Sequence, residues 1–240
     1  IIVSKFKEYF GKATIKELGL TYRFNQKLCE LTSSFIQKNP KQLKKNITGM
    51  GSFNKIPVEI YRQKNHSNFR IDFSLKKKLL ENLEEIFQND KNVKTILFLS
   101  RYREFNYSNG YEDLKKYLNN IFKIKKNLFK FSTIHSAKGA EADYVFILNI
   151  SDGHLGFPST IEDDPLLKLA NYDREDDLNL EKELNNAEER RVFYVALTRT
   201  KKKVFLYGED EAYFIKEILE DGNINEKVHY NVSDIPILKD

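Results

Sequence analysis

The sequence predicts one α/β domain, a parallel sheet with helices on both faces. Two apolar runs, in the strand at 95–99 and over 145–148, are continuous rather than alternating, the pattern of strands covered on both sides. Amphipathic helical stretches are interleaved with the strands along the chain, the order that a parallel sheet with crossover helices requires. No repeat, low-complexity tract or linker interrupts the 240 residues, and only five prolines occur. A hydrophobic share of 40%, with 18 Phe and 13 Tyr, supplies a real core at this length.

Taken in order, residues 18–23 read as a short extended segment. Asn25 then caps a helix that runs to Ile36, with Leu28, Leu31 and Phe35 on one face and Pro40 just past it as a stop. Residues 56–62 alternate as a strand, and Ser74 precedes a helix over 75–88 whose buried side carries Leu79, Leu80, Leu83, Ile86 and Phe87. After the strand at 95–99 come a helix over 111–122 and a strand over 128–134. A polar turn, 135–143, leads back into the strand at 144–150. An acidic loop is expected over 151–180, then a helix over 181–198, a strand over 203–207 and a last helix over 211–219. In such sheets ligands bind beyond the carboxyl ends of the strands.

Composition removes several function classes. Cys29 is the one cysteine, so an internal disulfide and a four-thiolate metal site are both excluded, and a cytoplasmic, reducing setting fits. The four histidines are scattered and suggest no metal site. No apolar run approaches the roughly 18 residues of a membrane span, so no membrane partner is expected. The 40 basic and 35 acidic residues give a net charge of +5, unevenly laid out. Residues 1–50 carry ten basic and three acidic side chains, while 151–190 carry twelve acidic and four basic. Charge alone fits a nucleic-acid face and a solvated lysine-rich surface equally. The chain opens on Ile1 rather than Met, which raises the expectation of a preceding segment.

Three segments look unlike packing material. Leu20-Thr21-Tyr22-Arg23-Phe24-Asn25 brings an aromatic and a guanidinium to a strand end beside a helix start. The second, Thr133-Ile134-His135-Ser136-Ala137-Lys138-Gly139-Ala140-Glu141-Ala142-Asp143, is the polar turn. The third, Glu188-Glu189-Arg190-Arg191-Val192-Phe193-Tyr194-Val195-Ala196-Leu197-Thr198-Arg199, is a helix ending in arginine. In a wound sheet all three are expected on one rim.

These segments resemble motifs IV (20–25), V (131–143) and VI (188–200) of the UvrD/Rep-like superfamily 1 DNA helicases. They fall in the family's order and cover nearly the whole chain. The stretches Phe35-Ile36-Gln37-Lys38-Asn39-Pro40, Gly156-Phe157-Pro158 and Asp163-Asp164-Pro165-Leu166-Leu167 bring the likeness nearest to helicase IV-like proteins. Ala140 stands where the family usually has Leu, and Thr200 where it has Ala; both are packing positions.

The resemblance implies a second RecA-like (P-loop NTPase-type) motor domain over 1–240. It also implies 3′-to-5′ movement on single-stranded DNA driven by ATP with Mg2+. Arg23 and Arg199 would be the catalytic arginines, because negative charge spreading over a γ-phosphate is matched by guanidinium geometry. Tyr22 would stack on adenine, Glu141 would accept from ribose hydroxyls, Lys138 would lie near the phosphates, and Gly139 would permit the turn. For Tyr22 a packing role, and for Lys138 a solvated one, stay open. Thr133, His135 and Ser136, with Arg101 beside them, would touch DNA.

The chain has no Gly-x-x-x-x-Gly-Lys-Ser/Thr loop and no strand ending in the Asp-Glu pair that holds magnesium. In the family both belong to the first RecA-like domain, expected upstream of Ile1, so this chain alone is expected to be inactive. The 25–133 interval has room only for core elements, so a large accessory insertion is not expected there. Two further readings stay open: a helicase-like ATPase acting on RNA polymerase or in a recombination nuclease, and a motor-like module kept for protein contacts.

Overall fold

Alternation along the central strands decides which helices cover which face. The computed structural model describes residues 6–14, 16, 18–39, 42–63, 73–102, 110–161, 178–221 and 231–235. After a short helix α1 (Phe6–Phe10), strands β1 (Leu20–Thr21) and β2 (Thr48–Gly49) pair with each other, with helix α2 (Gln26–Gln37) between them. The main sheet holds β3 (Val58–Gln63), β4 (Ile96–Ser100), β5 (Phe129–Thr133), β6 (Ala142–Ile150), β7 (Thr200–Glu209) and β8 (Asn231–Ile235). All neighbours are parallel, in the order β5-β4-β6-β7-β3-β8. Helices α3 (Phe73–Asn89), α4 (Gly110–Ile121), α5 (Leu178–Leu197) and α6 (Tyr213–Leu219) complete the layers.

One face of the sheet presents Val58, Ile60, Leu97, Leu99, Val145, Ile147, Val204 and Leu206 to α2, α5 and α6. Residues one step out of phase, Tyr61, Phe98, Phe146, Phe205 and Tyr207 among them, meet Leu75, Leu79 and Leu83 of α3 and Leu114 and Leu118 of α4. The expected architecture is therefore present, and each fully buried Leu or Phe contributes roughly 1.5–3 kcal/mol. Phe131, Phe98, Phe146 and Phe205 lie in register across β5, β4, β6 and β7. Their rings form a stacked row with centroids 4.8, 4.9 and 4.5 Å apart.

Local chemistry explains the boundaries. The Asn25 side chain accepts from the Leu28 N–H at 3.0 Å, the cap expected for α2, and its amide donates to the Phe53 carbonyl at 2.7 Å. Pro40 lies outside the described residues. Strand β7 is longer than the expected 203–207, because Lys202 and Lys203 pair with Asp90 and Glu59 and so enter the sheet at little cost. Of the acidic loop expected over 151–180, residues 162–177 lie outside the described residues, and α5 already begins at Leu178. The described part of the loop folds back on α5 and α6, where Phe157 packs on Phe193 and Phe214. A Cβ at Gly156 would stand 1.9 Å from the Ser151 carbonyl oxygen, so only glycine fits that approach.

One connection differs from the strand-turn-strand reading. β5 and β6 are not neighbours; they run parallel on either side of β4. Residues 134–141 therefore cross from the end of β5 past the one intervening strand, β4, to the start of β6, in far fewer residues than the dozen or more a crossover usually takes. The crossing tightens into a helical turn, with the Ala137 N–H on the Thr133 carbonyl at 3.0 Å, and it buries Ile134 and Ala137.

Candidate functional site

That crossing divides the expected site between the two ends of the sheet. Thr133 ends β5 at the level of Ser100, whereas Glu141 immediately precedes β6 at its amino end. Helix α5 runs back against the strands and delivers Arg199 to the amino end of β7, where Thr200 pairs with Ala142. The expectation of a single rim is corrected accordingly. The arginine cluster is at the amino ends of β6 and β7, and the histidine cluster is at the carboxyl ends of β4 and β5.

At the amino end, Arg23 donates through Nε to Glu141 Oε1 at 2.7 Å and through Nη1 to the Thr198 carbonyl at 3.1 Å. Lys201 Nζ lies 3.2 Å from the other Glu141 oxygen. The bond from Arg23, with Lys201 beside it, holds the Glu141 carboxyl below its usual range despite partial desolvation. Among the described residues Arg199 donates to main-chain carbonyls, Val195 at 2.9 Å and Ala140 at 3.4 Å. Burial and then the Arg23 charge push its guanidinium below its ordinary value, though arginine stays charged at neutral pH. Tyr22 is 74% exposed beside Arg23, which removes the reading of it as a core tyrosine.

On the crossing itself Lys138 and Gly139 are exposed. Gly139 has φ +87° with open space where a Cβ would stand, so the backbone conformation, not crowding, calls for glycine. Thr133 caps the turn: its hydroxyl oxygen accepts from the Ser136 N–H at 3.3 Å and lies 3.0 Å from the Ser136 hydroxyl.

At the carboxyl end Arg101 donates through Nε and Nη2 to Glu189, at 3.0 and 2.8 Å, and its guanidinium lies over the Tyr102 ring. Glu189 also accepts the Ser159 N–H at 3.0 Å, which ties the loop after β6 to α5. Arg101 Nη1 lies 3.1 Å from His135 Nδ1. Partial burial and then the Arg101 charge lower the His135 value, against the pull of Glu189 and Glu188. His135 and Ser136 face solvent, whereas the Arg101 side chain is only 18% exposed.

Glu189 and Lys201 had no assigned role from sequence. Glu189 shares its helix face with Val192, Phe193 and Ala196 at spacings of three, four and seven, and that spacing was the available signal for a buried carboxylate. The neighbouring Arg190 is structural: it is 5% exposed and bonds Glu217 and Asn39. Among the described residues no group of His, Cys, Asp or Glu could hold a metal ion, and no helix is long and apolar enough to cross a membrane.

A parallel sheet clad on both faces, with arginines at its amino end and no phosphate loop in the sequence, defines an α/β domain of the RecA-like class. The profile of the UvrD-like helicase C-terminal domain matches residues 25–209, and the chain belongs to that family. It is similar to DNA helicase IV of Escherichia coli K12, 31% identical over 224 residues, covering 93% of this chain and 29% of that protein. It is also similar to ATP-dependent DNA helicase Rep of Buchnera aphidicola, 36% identical over 85 residues, or 35% of this chain and 10% of that one. The chain thus spans less than a third of the length of these relatives. Among solved structures, the C-terminal domain of a possible DNA helicase from Lactobacillus plantarum matches with a TM-score of 0.46 and 12% identity, over 88% of this chain and 98% of that one.

Proposed function

We propose that this chain is the second motor domain of an ATP-dependent DNA helicase that moves 3′-to-5′ on single-stranded DNA. Its amino-end rim serves nucleotide and its carboxyl-end rim serves DNA. The observation that carries the reading is the pairing of Arg23 with Glu141 beside Arg199, on a solvent-open rim of a domain with no phosphate loop. Arginines placed this way suit a γ-phosphate held on another domain. ATP, when bound, supplies the phosphoanhydride bond, and its magnesium ligands would belong to a first RecA-like domain.

The residues of this chain divide the work. Tyr22 offers an exposed ring for the base, and the Glu141 oxygens accept from sugar hydroxyls. Lys138 and Gly139 lie on the path towards the phosphates. Arg199, whose partners are neutral carbonyls, turns to an anion without breaking an ion pair. Arg23 must first leave Glu141, an exchange of one carboxylate for a phosphate. On the other rim Thr133, His135 and Ser136 face the strand, with Arg101 behind His135. Cleft closure that draws the arginines onto phosphate would move one end of the 134–141 crossing, whose other end carries His135.

In the full-length protein, Arg199→Ala is expected to remove most ATP turnover and leave single-stranded DNA affinity in place; near-normal turnover rejects the assignment. The 240-residue chain alone is expected to hydrolyse ATP no faster than background, and turnover that survives repurification would reject the shared site.

A further inference from the structure

Guanidinium has no acceptor, so the 3.1 Å contact between Arg101 Nη1 and His135 Nδ1 has one direction: arginine donates and Nδ1 is bare. The ring proton of a neutral His135 then sits on Nε2, on the exposed side chain. Arg101 cannot swing away easily, because two of its nitrogens are bound to Glu189, whose side chain is 9% exposed and which also holds the Ser159 N–H. The Tyr102 ring covers its flat face at 4.8 Å.

We infer that Arg101 is a positioning residue rather than a phosphate contact: seated on Glu189, it locks His135 as the Nε2–H tautomer, which offers a nucleic-acid phosphate a neutral donor of fixed direction. This rests on reading the carboxyl-end rim as the DNA face. The charged groups that face His135 are Arg101 from the end of β4 and Glu188 and Glu189 from α5. Partial burial and then the Arg101 charge disfavour imidazolium and the carboxylates favour it, so Arg101 adds to burial in keeping the ring neutral. DNA affinity should therefore vary little across the histidine pH range as long as Arg101 is present.

The test uses fluorescence anisotropy of a labelled oligo-dT with the full-length protein, in salt titrations at pH 8 and pH 5.5. His135→Gln is expected to weaken binding about tenfold at both pH values, the worth of one hydrogen bond to a charged group. The double variant Arg101→Met with Glu189→Gln leaves no buried charge unpaired. It is expected to match the unmodified protein's salt slope at pH 8, and at pH 5.5 to show a slope steeper by about 0.7, one added charge on the DNA face. A slope shallower by about 0.7 at pH 8 would make Arg101 itself the phosphate contact and overturn the inference. So would a flat pH response in the double variant.

A His135→Gln variant that binds like the unmodified protein overturns the DNA reading of this rim, and the inference with it. Long-range 1H–15N correlation of the histidine rings in the unmodified protein, at neutral pH, needs no variant to fold beyond assignment. A bare Nδ1 and protonated Nε2 on His135 are expected, and the opposite tautomer or a doubly protonated ring overturns the proposal.

Discussion

The two ends of the sheet hold their arginines in opposite ways. At the carboxyl end Arg101 and Glu189 are 18% and 9% exposed, doubly bonded, and tied into a loop and a ring. At the amino end Arg23 and Glu141 are 28% and 36% exposed, and among the described residues Arg199 rests on main-chain carbonyls. Removing one partner of a covered pair costs about 3–5 kcal/mol, while an exposed pair is worth about 0.2–1 kcal/mol. The first arrangement therefore stays put, and the second can be traded for a ligand at little cost. Under the proposed function, charge needed for chemistry sits where it can move, and charge needed for geometry sits where it cannot.

The contrast can be broken by experiment. Its largest expected effect is in turnover: Arg23→Ala in the full-length protein should lower ATP hydrolysis by about 10³-fold, the scale of a lost arginine finger. Its unfolding free energy in urea should change by less than about 1 kcal/mol. Next is Glu189→Gln, expected to cost about 3 kcal/mol in the same urea titration because it strands Arg101. If Glu189→Gln costs no more than Glu141→Gln, the two ends do not differ as described.

Glu141→Gln should lower stability by less than about 1 kcal/mol. Its acid dependence has a definite sign. The folded carboxyl is held below its usual range by Arg23 and then Lys201, so the contribution is complete above that range and is lost as pH falls through the lowered value. A urea series on either side of that range should show a slightly smaller acid loss in the Gln variant. Smallest is Tyr22→Ala, within about 0.5 kcal/mol of the unmodified protein, since a ring 74% exposed packs on little. A change in the KM for ATP in the full-length protein would then report on nucleotide alone.

The layers were legible in the sequence because they follow from local pattern. Residues 96–99 and 144–148 are apolar without a break, and they form the buried centres of β4 and β6. Asn25 was readable as a cap because its side chain acts three residues away. Strand β8, Asn231–Ile235, gave no signal: it is a short strand with three polar side chains of five, and among the described residues it pairs with β3 at the sheet edge. The passage of residues 134–141 from one side of β4 to the other was also invisible. Strand order is a non-local property, and a turn followed by a strand reads the same whether or not the chain crosses a neighbour. That one missing fact moved half of the expected rim to the opposite end. Individual site residues were easier to find than their partners, since Glu188 and Glu189 look alike in sequence, yet the first is exposed beside Arg191 and the second is the seat of Arg101.

The row of phenylalanines deep in the sheet bears on both ends at once. Phe131, Phe98, Phe146 and Phe205 are set at one level across four strands, so the start and finish of those four strands are measured from that row. A slip of β6 by one residue would carry Phe146 to the opposite face and shift Glu141 by about 3.3 Å along the strand. That exceeds the 2.7 Å bond that now joins Glu141 to Arg23. The rings thus work as a ruler: without touching nucleotide or nucleic acid, they set the distance over which two remote rims must agree.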